Sequence, residues 1–140
     1  MKVGGIHRRT IWLASEAGSV AIIDQTALPA EFRILRLETV EDAARAIREM
    51  QVRGAPLIGV AAAYGLCLAL RADPSAASLA AAHSTLLAAR PTAVNLRWAL
   101  DRMAAALNPV APGERVVAAY RFAAELADED AMTCEQIGRV

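Results

Sequence analysis

The stretch Val52-Arg53-Gly54-Ala55-Pro56-Leu57-Ile58-Gly59-Val60-Ala61-Ala62-Ala63-Tyr64-Gly65 decides how the rest of the chain is read. Pro56 presets the backbone for a first helical turn, and residues 57–70 then run without a charge. A helix that is apolar on every side is buried on every side. The stretch therefore predicts the central helix of a bundle. Gly59, Ala63 and Gly65 give up some helix propensity there and let neighbouring backbones come close.

Around this segment the pattern stays helical. Thr39 with Asp42 three residues on reads as a capping box, and Val40, Ala44 and Ile47 mark one face of the helix that follows. After the central helix, Asp73-Pro74 predicts the start of a helix reaching about Ala89. Thr92 opens another to Leu107, with Leu96, Leu100, Met103 and Leu107 on one stripe and Trp98 as a packing residue. A break at residues 108–113 leads to a last helix near Glu114, carrying Val117, Tyr120, Ala124 and Ile137. His83 falls mid-helix beside Ser84 and Thr85, on a solvated face.

The first part of the chain reads as strand. Thr10-Ile11-Trp12-Leu13 and Val20-Ala21-Ile22-Ile23 flank a turn-rich spacer, and Phe32-Arg33-Ile34-Leu35-Arg36-Leu37 makes a third extended segment. Asp24 organises the loop before Pro29, and His7 lies in a mobile basic stretch with Arg8 and Arg9. The fold class is thus α+β. Residues 1–38 form a small antiparallel subdomain of about three strands, and residues 39–140 form a helical bundle.

Charge and cysteine content narrow the function classes. Lys plus Arg number 15 and Asp plus Glu number 15, so the formal net charge is zero. That balance argues against a general nucleic-acid or membrane-surface protein, though not against a local cationic pocket. Cys67 and Cys134 stand far apart without metal-ligand spacing, and Cys67 sits in an apolar run that suits a reduced thiol. The longest apolar run, residues 56–70, is short for a membrane span, and no signal-peptide pattern opens the chain. The expectation is a reduced, cytoplasmic protein with no metal, no cofactor, no nucleic-acid partner and no membrane partner.

Two arginines carry the candidate chemistry. Arg53 stands before the helix start at Pro56, and Arg90 before the one at Thr92. A helix start has unpaired N–H groups and partial positive charge, and a guanidinium fork matches two phosphate oxygens. If the two converge, Arg53, Gly54, Ala55 and Arg90 make a socket for a phosphorylated small molecule. Gly54 and Ala55 are small enough for close approach, and Thr92 and Asn95 can add donors. On spacing alone a second reading stands beside this one. Arg53 can instead pair with a carboxylate such as Glu49, and Arg90 can be an exposed residue before a capped helix. No zinc spacing, Gly-rich nucleotide loop or serine elbow is present.

Taken together, Asp24-Gln25 with Leu28-Pro29, Val52-Arg53-Gly54-Ala55-Pro56 running into Ile58–Gly65, and Arg90-Pro91-Thr92-Ala93-Val94-Asn95-Leu96 with Trp98-Ala99 resemble the methylthioribose-1-phosphate isomerases. The wider superfamily includes ribose-1,5-bisphosphate isomerases and regulatory subunits of the translation-initiation exchange factor. The resemblance implies an intramolecular oxidoreductase, an aldose–ketose isomerase of methionine salvage. It would turn 5-methylthioribose 1-phosphate into 5-methylthioribulose 1-phosphate as a cytoplasmic homodimer. It implies substrate binding by Arg53, Gly54, Ala55 and Arg90. It places the catalytic cysteine and aspartate in a Rossmann-like domain beyond residue 140, so neither Cys67 nor Cys134 takes that role. The chain alone is expected to be an inactive, substrate-holding part.

Overall fold

The computed structural model describes residues 2–3, 6–7, 11–13, 18–24, 26, 30, 33–52 and 55–138, with side chains at 11–13, 18–24, 26, 30, 33–52 and 57–129. Strands β1 (Lys2–Val3) and β2 (Ile6–His7) pair as a short antiparallel ribbon, so His7 lies in a strand rather than in a mobile stretch. The other strands, β3 (Ile11–Leu13), β4 (Val20–Ile23) and β5 (Ile34–Leu37), form the three-stranded antiparallel sheet in the order β3-β4-β5. Its register pairs Ile11 with Ile22 and Val20 with Leu37. All four residues of β4 are buried, as the middle strand of a covered sheet should be.

Asp24 holds the turn after β4, as its sequence position suggests. Its buried carboxylate accepts the Thr26 N–H at 2.9 Å and the Thr26 hydroxyl, and Arg33 stands 4.0 Å away. The Asp24 N–H donates to the Arg33 carbonyl at 2.8 Å, closing the loop.

Helix α1 (Val40–Arg48) begins at the predicted capping box. The Asp42 N–H donates to Thr39 Oγ1 at 3.1 Å, and the Thr39 N–H donates to Asp42 Oδ2 at 3.3 Å. It ends in a Schellman turn, with the Met50 N–H donating to the Ile47 carbonyl and the Gln51 N–H to the Ala46 carbonyl. Met50 has φ 61°, the left-handed region that a Schellman turn normally fills with glycine. For a residue with a Cβ this conformation costs about 1–2 kcal/mol.

The uncharged stretch becomes α2 (Ala55–Ala72), central as expected. A Cβ at Gly65 would lie 2.9 Å from Leu86 and 3.0 Å from Ala43, so α1 and α3 (Ala76–Ala89) both press on it. Ser75, rather than Asp73, caps α3 through the Ser78 N–H at 3.1 Å; Asp73 Oδ1 instead accepts the Ser75 N–H. Gly65 faces Leu86, and the Ser78 hydroxyl lies near the Ala69 carbonyl, so α3 runs antiparallel to α2.

Helix α4 (Val94–Leu107) buries the expected stripe of Leu96, Leu100, Met103 and Leu107. Its N-cap is Ala93, which makes no side-chain cap, so Thr92 is not the capping residue. Trp98 is 55% exposed, with Arg102 stacked over its ring, and is therefore not a packing residue among the described ones. Helix α5 (Pro112–Gly138) starts two residues earlier than expected and turns a different face inward. Ala119, Ala123 and Leu126 are buried while Val117 is 74% exposed, because small residues let α5 lie close on α2. His83 is not freely solvated: its Nε2 is 2.9 Å from Asp101, linking α3 to α4.

Hydrogen bonds as well as core packing join sheet and bundle. The Tyr120 hydroxyl donates to the Gly18 carbonyl at 2.7 Å, and Arg71 donates to the Glu38 carbonyl at 2.7 Å. Gly18 has φ 104°, and a Cβ there would strike the Tyr120 hydroxyl, so glycine is required twice over.

Candidate phosphate site at one end of the bundle

The direction of each helix decides whether the sequence-predicted residues can meet. A Cβ at Gly59 would lie 3.2 Å from the Asn95 carbonyl oxygen and 3.3 Å from Ala99. The first turns of α2 and α4 therefore pack directly against each other. At the far end, Arg115 donates both to the Leu107 carbonyl at the end of α4 and to the Pro74 carbonyl just past α2. The two helices thus run the same way and start side by side. Because α3 is antiparallel to both, its C-terminus returns to that same end.

Arg90 sits at this end. It is the C-cap of α3, partly buried, with the Ala93 N–H donating to its carbonyl at 3.0 Å. It does not stand immediately before α4, because residues 91–93 form a turn between them. Ala55 is the first residue of α2, and its side chain is outside the described set. Arg53 and Gly54 lie outside the described residues. Their neighbour Val52 is fully buried, so the chain entering α2 is anchored two residues before Ala55's predecessor Gly54.

The first turn of α2 carries no acidic residue, nor does that of α4. Two helix starts without carboxylates present the unpaired N–H groups and positive dipole ends that an anion needs. Arg90, which follows α3 at the same end, carries a permanent charge. Asn95 is partly buried and lends its backbone carbonyl to the contact with Gly59.

Two titratable side chains among the described residues have acidities shifted by burial. Cys67 is a free, fully buried thiol, and burial pushes its pKa well above the usual thiol range, which makes it unreactive. Burial, with the nearby Cys67, pushes the Tyr120 phenol up to about 12. Among the described residues no group of His, Cys, Asp and Glu could hold a metal ion, and no described helix is long and apolar enough to cross a membrane. Arg115 is the residue that sequence reasoning missed. It is 4% exposed and donates to the carbonyls of Leu107, Pro74, Asn108 and Val110. Its partners are all backbone oxygens, which leave no residue-type signal in a sequence.

Known proteins resemble this chain closely. It is 59% identical over 139 residues to the methylthioribose-1-phosphate isomerase of Rhodospirillum centenum, a match covering 99% of this chain and 37% of that protein. The isomerase of Paramagnetospirillum magneticum is 54% identical over 138 residues, with 99% and 38% covered. The chain thus spans well under half the length of these relatives. Among solved structures, the 5-methylthioribose 1-phosphate isomerase of Pyrococcus horikoshii matches with a TM-score of 0.77 at 36% identity, covering 86% of this chain and 36% of that one. The translation initiation factor eIF-2B subunit delta of A. fulgidus matches with a TM-score of 0.80 at 35% identity, covering 88% and 37%. Residues 51–140 match the Initiation factor 2 subunit family, from the first turn before Arg53 to the last residue, and the chain belongs to that family.

Proposed function

We propose that this chain is the phosphate-holding part of an aldose–ketose isomerase that converts 5-methylthioribose 1-phosphate to 5-methylthioribulose 1-phosphate. The observation that carries the reading is the contact of Gly59 with Asn95, which sets the starts of α2 and α4 side by side at the end where α3 delivers Arg90. Arg53 with the Gly54 and Ala55 backbone forms one half of the grip, and Arg90 the other. The substrate is that of the relatives, which are methylthioribose-1-phosphate isomerases.

The chemistry explains why this is one part of a larger machine. The C1 oxygen of the substrate is esterified, so the sugar ring cannot open as a free aldose does. Moving hydrogen between C2 and C1 then needs a desolvated site and a positioned acid–base pair. The described residues offer no such pair at this end; they hold the phosphate and exclude water. The catalytic groups belong to a following domain, and the chain alone is inactive. The enzyme acts in the cytoplasm, as a homodimer, on a phosphorylated pentose, without nucleic acid or membrane.

A chimera tests this. The 140 residues replace the matched segment of the Rhodospirillum centenum isomerase. The chimera is expected to turn over methylthioribose 1-phosphate. Arg53→Ala and Arg90→Ala are each expected to weaken substrate binding by about 2–4 kcal/mol, the loss of a charge-assisted bidentate contact. Unchanged kinetics in both variants removes these arginines from the site. The likeness to the eIF-2B delta subunit favours a second reading, a non-catalytic regulatory subunit. A folded chimera without turnover supports that reading. Faster turnover of ribose 1,5-bisphosphate assigns the chain to the sister isomerase.

A further inference from the structure

Helix α4 exposes a row of side chains that water suits poorly. Val94 and Trp98 lie four residues apart, so they share one face of the helix, and they are 78% and 55% exposed. Arg102 continues the row, 5.1 Å from the centre of the Trp98 ring, and Glu129 of α5 pairs with it at 3.3 Å. Beside the row a cleft of about 160 Å³ opens between α4 and α5, lined by Arg102, Met103, Ala106, Phe122, Glu125 and Leu126. An exposed tryptophan beside an apolar cleft, with charged side chains at the margin, is the composition of a contact surface.

The course of α5 says what lies over it. Arg115 meets the end of α4, and Glu129 meets Arg102 nearer the start of α4, so α5 runs antiparallel to α4. From Glu129 to Gly138 α5 rises about 13 Å, and from Arg102 back to Val94 α4 rises about 12 Å. The end of α5 therefore comes level with Val94. The chain matches 37% of the Rhodospirillum centenum isomerase, and in such a protein a domain that follows α5 leaves the bundle beside this row. A domain tethered there meets the row at high effective concentration.

Resting on the functional reading above, in which the catalytic groups belong to a following domain, we infer that Val94, Trp98 and the α4–α5 cleft are the surface on which that domain docks. Trp98 is the central anchor, and the Arg102–Glu129 pair closes one margin of the contact. Asn95, one turn from Trp98, packs its carbonyl against Gly59 in the first turns of α2. Docking on this row thus brings the groups of the following domain to the end of the bundle where α2 and α4 begin.

Hydroxyl-radical footprinting read by mass spectrometry tests this in the 140-residue chain and in its chimera with the Rhodospirillum centenum isomerase. Met103, 1% exposed, reports folding by staying unlabelled, and Leu13, 49% exposed on the sheet, is the reference. Labelling of Trp98 is expected to fall at least about fivefold from chain to chimera, while that of Leu13 changes by less than about twofold. Equal labelling of Trp98 in the two overturns the inference. So does protection in the chain alone that grows with its concentration, which makes the occupant a second copy. If Met103 is labelled in the chain alone, the comparison within the chimera decides. There Trp98→Glu is expected to expose Phe122 to labelling and to lower kcat/KM for methylthioribose 1-phosphate at least about tenfold. Trp98→Phe is expected to keep most of the activity, and Val117→Glu, at an exposed site on α5 outside the cleft, all of it. Unchanged Phe122 labelling and turnover in Trp98→Glu overturn the inference as well. A folded chimera that protects Trp98 without turning over the sugar keeps the docking surface and defeats the isomerase reading, so the two failures are distinguishable.

Discussion

At one end of the bundle Arg115 threads a buried guanidinium among four carbonyl oxygens, and Ser75 caps α3. At the other end α4 starts at Ala93 with no side-chain cap, Met50 keeps a positive φ, and Val94 and Trp98 face outward. The first end satisfies its backbone from within. The second gives α4 no side-chain cap and carries a positive φ and exposed apolar surface. That difference is what the proposed phosphate site at the starts of α2 and α4 would require.

Breaking the tied end should have the largest effect. Arg115→Met removes the donors to Leu107, Pro74, Asn108 and Val110 and takes a buried guanidinium out of the joint between them. The expected loss is about 3–5 kcal/mol in denaturant unfolding. A loss under about 1 kcal/mol would mean that water replaces the guanidinium, and the contrast between the ends would be weaker than described.

Tyr120→Phe comes next, with an expected loss of about 1 kcal/mol for the hydrogen bond to Gly18. It also has a pH signature. The folded phenol titrates at about 12, above its ordinary value of 10. Between those values the unfolded chain has released this proton and the native one has not, so stability falls as pH rises through that window. Thermal melts at pH 9 and 11 should show a steeper fall for the native sequence than for Tyr120→Phe. Equal slopes would assign the alkaline loss to other groups, Cys67 first among them.

The smallest effect sharpens the comparison most. Ala93→Asp supplies the absent N-cap of α4 and is expected to stabilise the fold by up to about 1 kcal/mol. The same carboxylate repels an anion at that helix start, so affinity for methylthioribose 1-phosphate should fall in the chimera. Higher melting temperature with undiminished affinity would place the phosphate elsewhere.

The legible parts of the fold were those fixed by short-range pattern. Thr39 and Asp42 lie within one turn, the α4 stripe repeats every three or four residues, and α2 has no polar face to misjudge. The inward face of α5 was not legible: alanines at 119 and 123 carry little hydrophobic signal, while Val117 carries more and points outward. Ser75 displaced Asp73 as a cap because both are good capping types two residues apart, and only the backbone settles which one is used. The proposed site divides in the same way. Arginine and small residues before helix starts could be read directly. Their common end could not, because it rests on Gly59 meeting Asn95 across 36 residues and on the directions of three helices.

The Tyr120–Gly18 hydrogen bond joins residues 102 positions apart. Ribosomes add about 5–20 residues each second, so β3 and β4 wait several seconds during synthesis before the hydroxyl that fastens them exists. A bond of such high contact order closes late, after local helices have formed. During that interval the β3–β4 hairpin is an unfastened edge, and nascent-chain quality control would meet the protein in this half-latched form.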